Sequence, residues 1–417
     1  MEAEDDGSMF TLLIHGPGED PEDPFERWVA ADSLLNAPRD AYFLLSNIQT
    51  LTCQFYKSGT ETLGDRTKLE ALAIGLLNQV ENAVLTRLYY INLLGLFFPE
   101  HLFLLATVDA FTAPLCVRAE IFPTHGNHET TTYSFHKNIR DVAIAVRQDD
   151  SSWPRDRSPV WDMFRVEPGH VMDVVSLHNL GAARPEQIGA ILGGASSVRE
   201  LLLERTGVVG IPNAGGNDEN ENNSYNDDDF LTQVERLRLK YARMRLTGAH
   251  AGGVLREIDA EHVSLDFFRT YTFSHVTSLR LMLFPEQNLK RGLLRHFPQL
   301  LDLTLRLPMW EILFAIPDED LDKSLVSRLM LEYHCRTAKS ATPSPHPHSL
   351  IRKLERLQRL EHLELTSNYD KRRERNLDLP LLNETLYMQI KRVLVNLKTL
   401  RFSKRFSVQM SSLDFYF

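Results

Sequence analysis

Val276-Thr-Ser-Leu279-Arg-Leu281 is followed by Leu300-Leu-Asp-Leu303-Thr-Leu305, with the two central leucines 24 residues apart. Each stretch has an apolar residue, two variable ones, a second apolar residue, one variable, and a third apolar residue. The last two apolar residues alternate, as on a short strand with one buried face. The first packs from the turn that precedes the strand. The same pattern stands at Ile48-Gln-Thr-Leu51-Thr-Cys53, Ile139-Arg-Asp-Val142-Ala-Ile144 and Val198-Arg-Glu-Leu201-Leu-Leu203. It returns at Leu360-Glu-His-Leu363-Glu-Leu365 and Leu397-Lys-Thr-Leu400-Arg-Phe402, with weaker copies at Val234–Leu239 and Val326–Leu331. Leu303 to Leu329 is a step of 26 residues and Leu177 to Leu201 one of 24. Leu329 to Leu363 and Leu363 to Leu400 are longer, 34 and 37. A recurring step of about 20–29 residues marks stacked repeats, each sealing its neighbour's apolar flank.

Parallel strands need a crossover, usually helical. Three segments read that way. Pro185–Leu192 puts Ile188, Ile191 and Leu192 on one face, just before the strand at Val198. Asn288–Arg295 precedes Leu300, and Leu382–Leu394 precedes Leu397. Helix, short breaker (Gly193, Pro298 or Asn396), then strand is one order used three times. The expected fold class is α/β, an irregular solenoid with parallel strands on its concave side and helices on its convex side.

Polar and proline-rich stretches divide the chain. Residues 1–28 carry Glu2, Glu4, Asp5, Asp6 and the run Gly16–Pro24, and read as a loose acidic tail with a short strand at Phe10–Ile14. Phe25–Leu35 is helical in pattern. Residues 29–212 form the amino-terminal part of the solenoid. Residues 213–229 are a disordered, acidic, Asn-rich insertion, with too little apolar surface to offset the entropy of ordering. Residues 230–417 form the carboxy-terminal part, broken by the proline-rich loop 336–349. In 54–135 the period is lost, which leaves repeat and insertion both open there.

Composition narrows the function. The 417 residues carry a net charge of −10, with 43% hydrophobic and 24% charged residues, so wholesale disorder is excluded. An acidic chain is a poor general binder of nucleic acid. Three cysteines, Cys53, Cys116 and Cys335, suit a reducing compartment, and a cytoplasmic or nuclear protein is expected. The acidic start lacks the pattern of a signal peptide. The apolar window Leu85–Val108 is interrupted by Arg87, Pro99, Glu100 and His101, which reads as core rather than as a membrane span.

Leu360-Glu-His-Leu363-Glu-Leu365-Thr-Ser-Asn368 resembles the leucine-rich-repeat core, including its asparagine. At the matching place the repeat of Leu201 has Thr206. Ser46–Leu51, Phe297–Leu303 and Val395–Leu400 are similar to repeats of fungal F-box and leucine-rich-repeat proteins. The resemblance runs in patches over 40–402. It implies a non-catalytic protein-interaction module, a substrate-recognition protein of a ubiquitin ligase. In that family a short amino-terminal helical segment docks on a Skp-type adaptor. Residues 1–45 hold no segment of that pattern, so the resemblance leaves adaptor binding open.

Chemistry-bearing motifs are few. His125, His128 and His136 include a His-x-x-His pair, a possible zinc chelate, but no cysteine is near and Gly126 suggests a solvated loop. His346 and His348 alternate with prolines, as in a linker. Asp218–Asp229 imitates a calcium loop at its first, third and fifth places, yet has Asn223 where glycine is needed and Asp229 where a bidentate glutamate is needed. No phosphate-binding or nucleophile-elbow motif occurs. Cys53 and Cys116 have leucine neighbours and read as core. No catalytic residue, metal ligand or cofactor is assigned. The alternative is a hydrolase-like enzyme using a histidine of 125–136 or 170–178, on histidine density alone.

Basic residues gather at Arg236, Arg238, Lys240, Arg243 and Arg245, and at Lys371–Arg375. Residues 351–417 hold 14 Lys/Arg against 8 Asp/Glu, a net of +6 that leaves −16 for the remainder. Solvated faces are the expected reading, and an acidic partner the sharper one. On each strand the residues between the buried leucines point to the opposite side. These are Glu200, Leu202 and Glu204; Ser278, Arg280 and Met282; Asp302, Thr304 and Arg306; His362, Glu364 and Thr366; and Thr399, Arg401 and Ser403. Their mix of charge and apolar atoms suits a surface that another protein meets.

Overall fold

The computed structural model describes residues 11–15, 26–30, 50–54, 89–96, 114–121, 133–135, 138–146, 164–183, 185–209, 229–245, 253–263, 272–282, 292–306, 309–334, 347–368, 384–402 and 414–416. The chain forms two compact units, Met1–Gly207 and Val208–Phe417. Among the described residues parallel strands predominate and helices are few.

The strands of the first unit are β1 (Thr11–His15), β2 (Glu26–Ala30), β3 (Thr50–Gln54), β4 (Tyr90–Leu96), β5 (Leu115–Ile121), β6 (Tyr133–Phe135), β7 (Ile139–Val146), β8 (Phe164–Val166), β9 (His170–Ala183) and β10 (Ala195–Val209). β1 pairs with β2 and β3, and the ladder continues β3–β4–β5–β7–β9, all parallel. β6 and β8 form a separate parallel pair. Two of these strands fall within or across the expected tail. Glu26–Ala30 is a strand where the sequence pattern suggested a helix; Trp28 and Val29 are good strand formers, and β1 supplies an edge for them. In 54–135, β4 and β5 carry the ladder onward. Ile91, Val117, Val142 and Val175 align on neighbouring strands and are all buried.

β9 and β10 are joined by the helix α1 (Pro185–Leu192), whose Ile188, Ile191 and Leu192 are buried as its spacing implies. Gly194, just beyond it, lies against the backbone of Val166 and Glu167, where a Cβ has no room. Ser196 Oγ donates to the carbonyl of His170 (3.2 Å), and Leu180 N–H donates to Thr206 Oγ1 (3.3 Å), both 26 residues apart. In the register with β7, Val175 stands opposite Val142 and Leu177 opposite Ile144. The central apolar residue of β9 is therefore Val175, not Leu177, and the step is 26 rather than 24.

The second unit repeats the pattern with greater regularity. Its strands are β11 (Val234–Lys240), β12 (Arg243–Arg245), β13 (Glu257–Glu261), β14 (Ser278–Met282), β15 (Asp302–Arg306), β16 (Arg328–His334), β17 (His362–Asn368), β18 (Thr399–Phe402) and β19 (Asp414–Tyr416). β11, β13, β14, β15, β16, β17 and β18 pair successively in parallel, and β19 adds to β18 antiparallel. The register aligns Leu237, Ile258, Leu279, Leu303, Leu329, Leu363 and Leu400 in one buried row. Three residues earlier in each repeat, Val234, Leu255, Val276, Leu300, Val326, Leu360 and Leu397 are buried as well. Burying one such side chain contributes roughly 2 kcal/mol, so two per repeat outweigh an exposed ion pair.

The same backbone bond joins successive repeats. The carbonyl of Arg256 accepts the N–H groups of Thr277 and Ser278, and that of Thr277 accepts those of Leu301 and Asp302. Leu301, Ser327 and Glu361 continue the series, ending at Lys398 and Thr399. Return segments differ in content. Between β14 and β15 lies a 3-10 turn, Leu293–His296, entered through Gly292 at φ 111°, where part of a helix was expected. Between β15 and β16 lie α2 (Met309–Ala315) and α3 (Asp318–Asp322). α4 (Pro347–Glu355) leads to β17 and α5 (Glu384–Val393) to β18. Ion pairs tie these segments together: Arg295–Asp320 at 2.7 Å, Lys353–Asp318 at 2.7 Å and Arg356–Asp322 at 3.3 Å. The Lys353 ammonium holds the Asp318 carboxyl below its ordinary range.

Among the described residues, four other than glycine have left-handed backbone: Asn179 (φ 57°), Arg205 (48°), Tyr241 (50°) and His262 (54°). Each stands four places after the central apolar residue of its repeat, Val175, Leu201, Leu237 or Ile258. Tyr241 and His262 stand just past the ends of β11 and β13, whereas Asn179 and Arg205 lie within β9 and β10; asparagine takes this conformation most readily, and arginine and tyrosine do so at a cost.

The structure does not describe most of 213–229, the stretch 336–346, or Lys371–Arg375, so the expectations made there lie outside the described residues.

Candidate protein-binding face

The eleven residues expected to meet a partner divide between the units. Glu200 and Leu202 lie on β10 in the first; Ser278, Arg280, Asp302, Thr304, Arg306, His362, Glu364, Thr399 and Arg401 lie in the second. None of the eleven is buried, and each alternates with a buried neighbour on its strand. Met282, expected outside with them, is 3% exposed; Leu281 and Met282 are both enclosed at the end of β14. Thr366 is half-buried. The side chain of Ser403 lies outside the described residues.

Strand register assembles the outward residues of the second unit into three rows. The first runs Arg236, Glu257, Ser278, Asp302, Arg328, His362, Thr399. The second runs Arg238, Asp259, Arg280, Thr304, Met330, Glu364, Arg401. The third runs Lys240, Glu261, Met282, Arg306, Glu332, Thr366. Met330, Arg328 and Glu332 were missing from the expected set. The copy Val326–Leu331 was readable, so its intervening residues carried the signal. Glu257, Asp259 and Glu261 were missed because their repeat, Leu255-Arg-Glu-Ile258-Asp-Ala260, ends on alanine rather than a large apolar residue.

The rows differ in how their charges are balanced. In the first, Arg236 Nε meets Glu257 Oε2 at 2.6 Å, Arg328 Nε is 3.6 Å from Asp302 Oδ1, and His362 Nδ1 is 2.7 Å from Thr399 Oγ1. In the third, Arg306 Nε meets Glu332 Oε2 at 2.8 Å, both sides largely sheltered. In the second, Arg238 faces Asp259 at 3.9 Å. Further along that row, the side chains of Arg280, Thr304, Met330 and Glu364 have no hydrogen bond or ion pair among the described residues. At the strand ends Lys398 Nζ donates to Glu361 Oε2 (2.8 Å), which holds the Glu361 carboxyl below its ordinary range.

The basic run at the start of this unit thus faces an acidic one. Arg236, Arg238 and Lys240 stand opposite Glu257, Asp259 and Glu261. This is the arrangement of a self-neutralised strand pair, the solvated-face reading of that run.

In the first unit, His178 Nδ1 lies 3.1 Å from Glu204 Oε2, both a quarter exposed. The nearby Thr206 hydroxyl is fully buried between the carbonyls of Leu177 (3.3 Å) and Glu204 (3.0 Å) and the N–H of Leu180. It occupies the place that Asn368 has in the repeat of Leu363. His170 is buried, 7% exposed. His125, His128, His136 and His346 lie outside the described residues, and His348 is exposed on α4.

Cys116 is half-buried among the outward residues, beside Tyr90 and Asp141, while Val117 takes the core position. The core reading of this cysteine is therefore shifted by one residue. Burial, with the Asp141 carboxyl beside it, pushes the Cys116 thiol up to about 11. Asp141 is raised too, by burial and then by Asp173, against a lowering hydrogen bond from the Val174 backbone. A thiol so shifted is protonated at neutral pH and is a poor nucleophile.

Among the described residues no group of three His, Cys, Asp or Glu is placed to hold a metal ion, and no helix is long and apolar enough to cross a membrane. Neither a protein-family model nor a curated protein sequence matches the chain.

Proposed function

We propose that this chain is a non-catalytic recognition module of leucine-rich-repeat type, which binds another protein through the concave side of its strands. The observation that carries it is the outward central row of the second unit. There charged, hydroxyl and apolar side chains lie in register with no polar partner among the described residues. The resemblance to fungal F-box and leucine-rich-repeat proteins supports a role as substrate receptor of a ubiquitin ligase, in the cytoplasm or nucleus. Membrane and nucleic-acid partners are not part of this reading; the paired basic run of β11 argues against the latter.

Affinity capture with the full chain tests it. A specific protein partner should be retained by the wild type and by Met388→Arg on the exposed side of α5, and lost with Thr304→Arg or Met330→Arg. A partner indifferent to both face variants sinks the reading. Recovery of a Skp-type adaptor decides the ligase version.

A second reading rests on the His178–Glu204 contact, a carboxylate orienting an imidazole as in general-base catalysis. Turnover of p-nitrophenyl acetate that disappears in His178→Ala would favour it.

A further inference from the structure

The central row has a polarity that selects a ligand. Arg280 on β14 and Glu364 on β17 are three strand spacings apart, about 14 Å at 4.8 Å each, too far to neutralise one another. Their nearest row neighbours are otherwise engaged: Asp259 faces Arg238, and Arg401 has contacts of its own. Between them stand Thr304 and Met330, half-buried and bearing no opposite charge. The flanking rows are closed by internal pairs, Arg328–Asp302 and His362–Thr399 on one side and Arg306–Glu332 on the other. A ligand in the middle therefore meets a cationic end, an apolar centre and an anionic end, within walls already neutralised.

We infer that the occupant is an extended peptide segment crossing the strands, with an acidic residue over Arg280, an apolar residue over Thr304 and Met330, and a basic residue over Glu364. Extended chain advances about 3.3 Å per residue and presents every second side chain to one face. Positions i, i+2 and i+4 thus face the sheet and span about 13 Å, close to the distance between the two charges. The recognised pattern is acid-x-apolar-x-base, or its reverse if the peptide runs the other way. Each end charge replaces solvent on an otherwise unpaired group, so opposite charges are favoured and like charges penalised.

This inference rests on the recognition reading above and specifies its ligand. The test uses the full chain and three labelled peptides in a Gly-Ser host, read by fluorescence anisotropy: Asp-Ala-Leu-Ala-Lys, Lys-Ala-Leu-Ala-Lys and Asp-Ala-Leu-Ala-Asp. The mixed peptide should bind about tenfold tighter than either like-charged one. Arg280→Glu should transfer the preference to the Lys/Lys peptide, and Glu364→Arg to the Asp/Asp peptide. Both side chains are outside the core, so these variants should fold. Equal binding of the three peptides, no binding up to about 1 mM, or preferences unmoved by either reversal overturns the inference. A captured partner that still depends on Met330 would then preserve the broader reading, and the two failures remain distinct.

Discussion

Arg236 Nε and Glu257 Oε2 stand 2.6 Å apart on adjacent parallel strands, the first of three opposed charge pairs between β11 and β13. Both side chains are nearly half exposed, so a single deletion should matter little. Arg236→Ala is expected to cost less than about 1 kcal/mol. Reversing Arg236, Arg238 and Lys240 together to glutamate sets six acids against one another and should cost clearly more. Reversing Glu257, Asp259 and Glu261 to lysine in the same chain should recover most of the loss. Urea unfolding at low and high salt checks this, because the penalty should shrink as salt screens it.

Thr206 is expected to be far less replaceable. Its buried hydroxyl accepts from Leu180 N–H and donates toward the carbonyls of Leu177 and Glu204. Thr206→Val keeps the shape and removes these bonds, leaving buried backbone groups unmatched, and should cost about 1–3 kcal/mol. Thr206→Ser should retain the bonds and lose only part of that. Chemical denaturation of both variants gives the comparison.

At Arg205 a gain is expected. The residue is exposed and held at φ 48°, a conformation costly for most side chains. Arg205→Gly removes the clash but loosens the unfolded chain; Arg205→Asn should do better, by about 0.5–1 kcal/mol. The melting temperature should rise for Arg205→Asn. A fall would mean that the guanidinium contributes more than its backbone costs.

Asp141 gives a pH-dependent prediction. Its folded pKa is raised, so the folded state holds its proton more tightly than the unfolded chain does. Any relative stabilisation from this carboxyl is present in acid and is lost as pH rises through its folded pKa. Asp141→Asn should therefore raise the melting temperature at pH 7, by about 1–3 °C given the partial solvation of the group. That advantage should vanish below the ordinary aspartate range. The Val174 N–H retains an acceptor in the variant. Melting curves at pH 3 and pH 7 decide it.

The repeats were legible in the sequence wherever three large apolar residues coincided, as at Leu279, Leu303 and Leu363. They were hidden where the third residue is small, as with Ala260 on β13 and Ala119 on β5, both of them buried. The misplaced centre at β9 has a different origin. Met172, Val175, Leu177 and Leu180 are all buried, so spacing alone allows two phases, and the register with β7 chooses between them by setting Val175 opposite Val142. Met282 illustrates a limit of alternation, since it and Leu281 are consecutive on β14 and both are buried. The outward row was legible as a list of residues. That its centre lacks internal partners while its margins are paired follows from register across strands far apart in sequence, which composition does not reveal.

The carbonyls of Arg256, Thr277, Leu301, Ser327 and Glu361 each grip two N–H groups of the following repeat, although the central residues of successive repeats are 21, 24, 26, 34 and 37 residues apart. Stacking is thereby uncoupled from contour length. A return segment can be lengthened, shortened or decorated, as between β16 and β17, while the joint at the foot of the next strand stays the same. Such a chain can acquire new peripheral loops without renegotiating its framework, and grafts into those loops should leave the neighbouring joints intact.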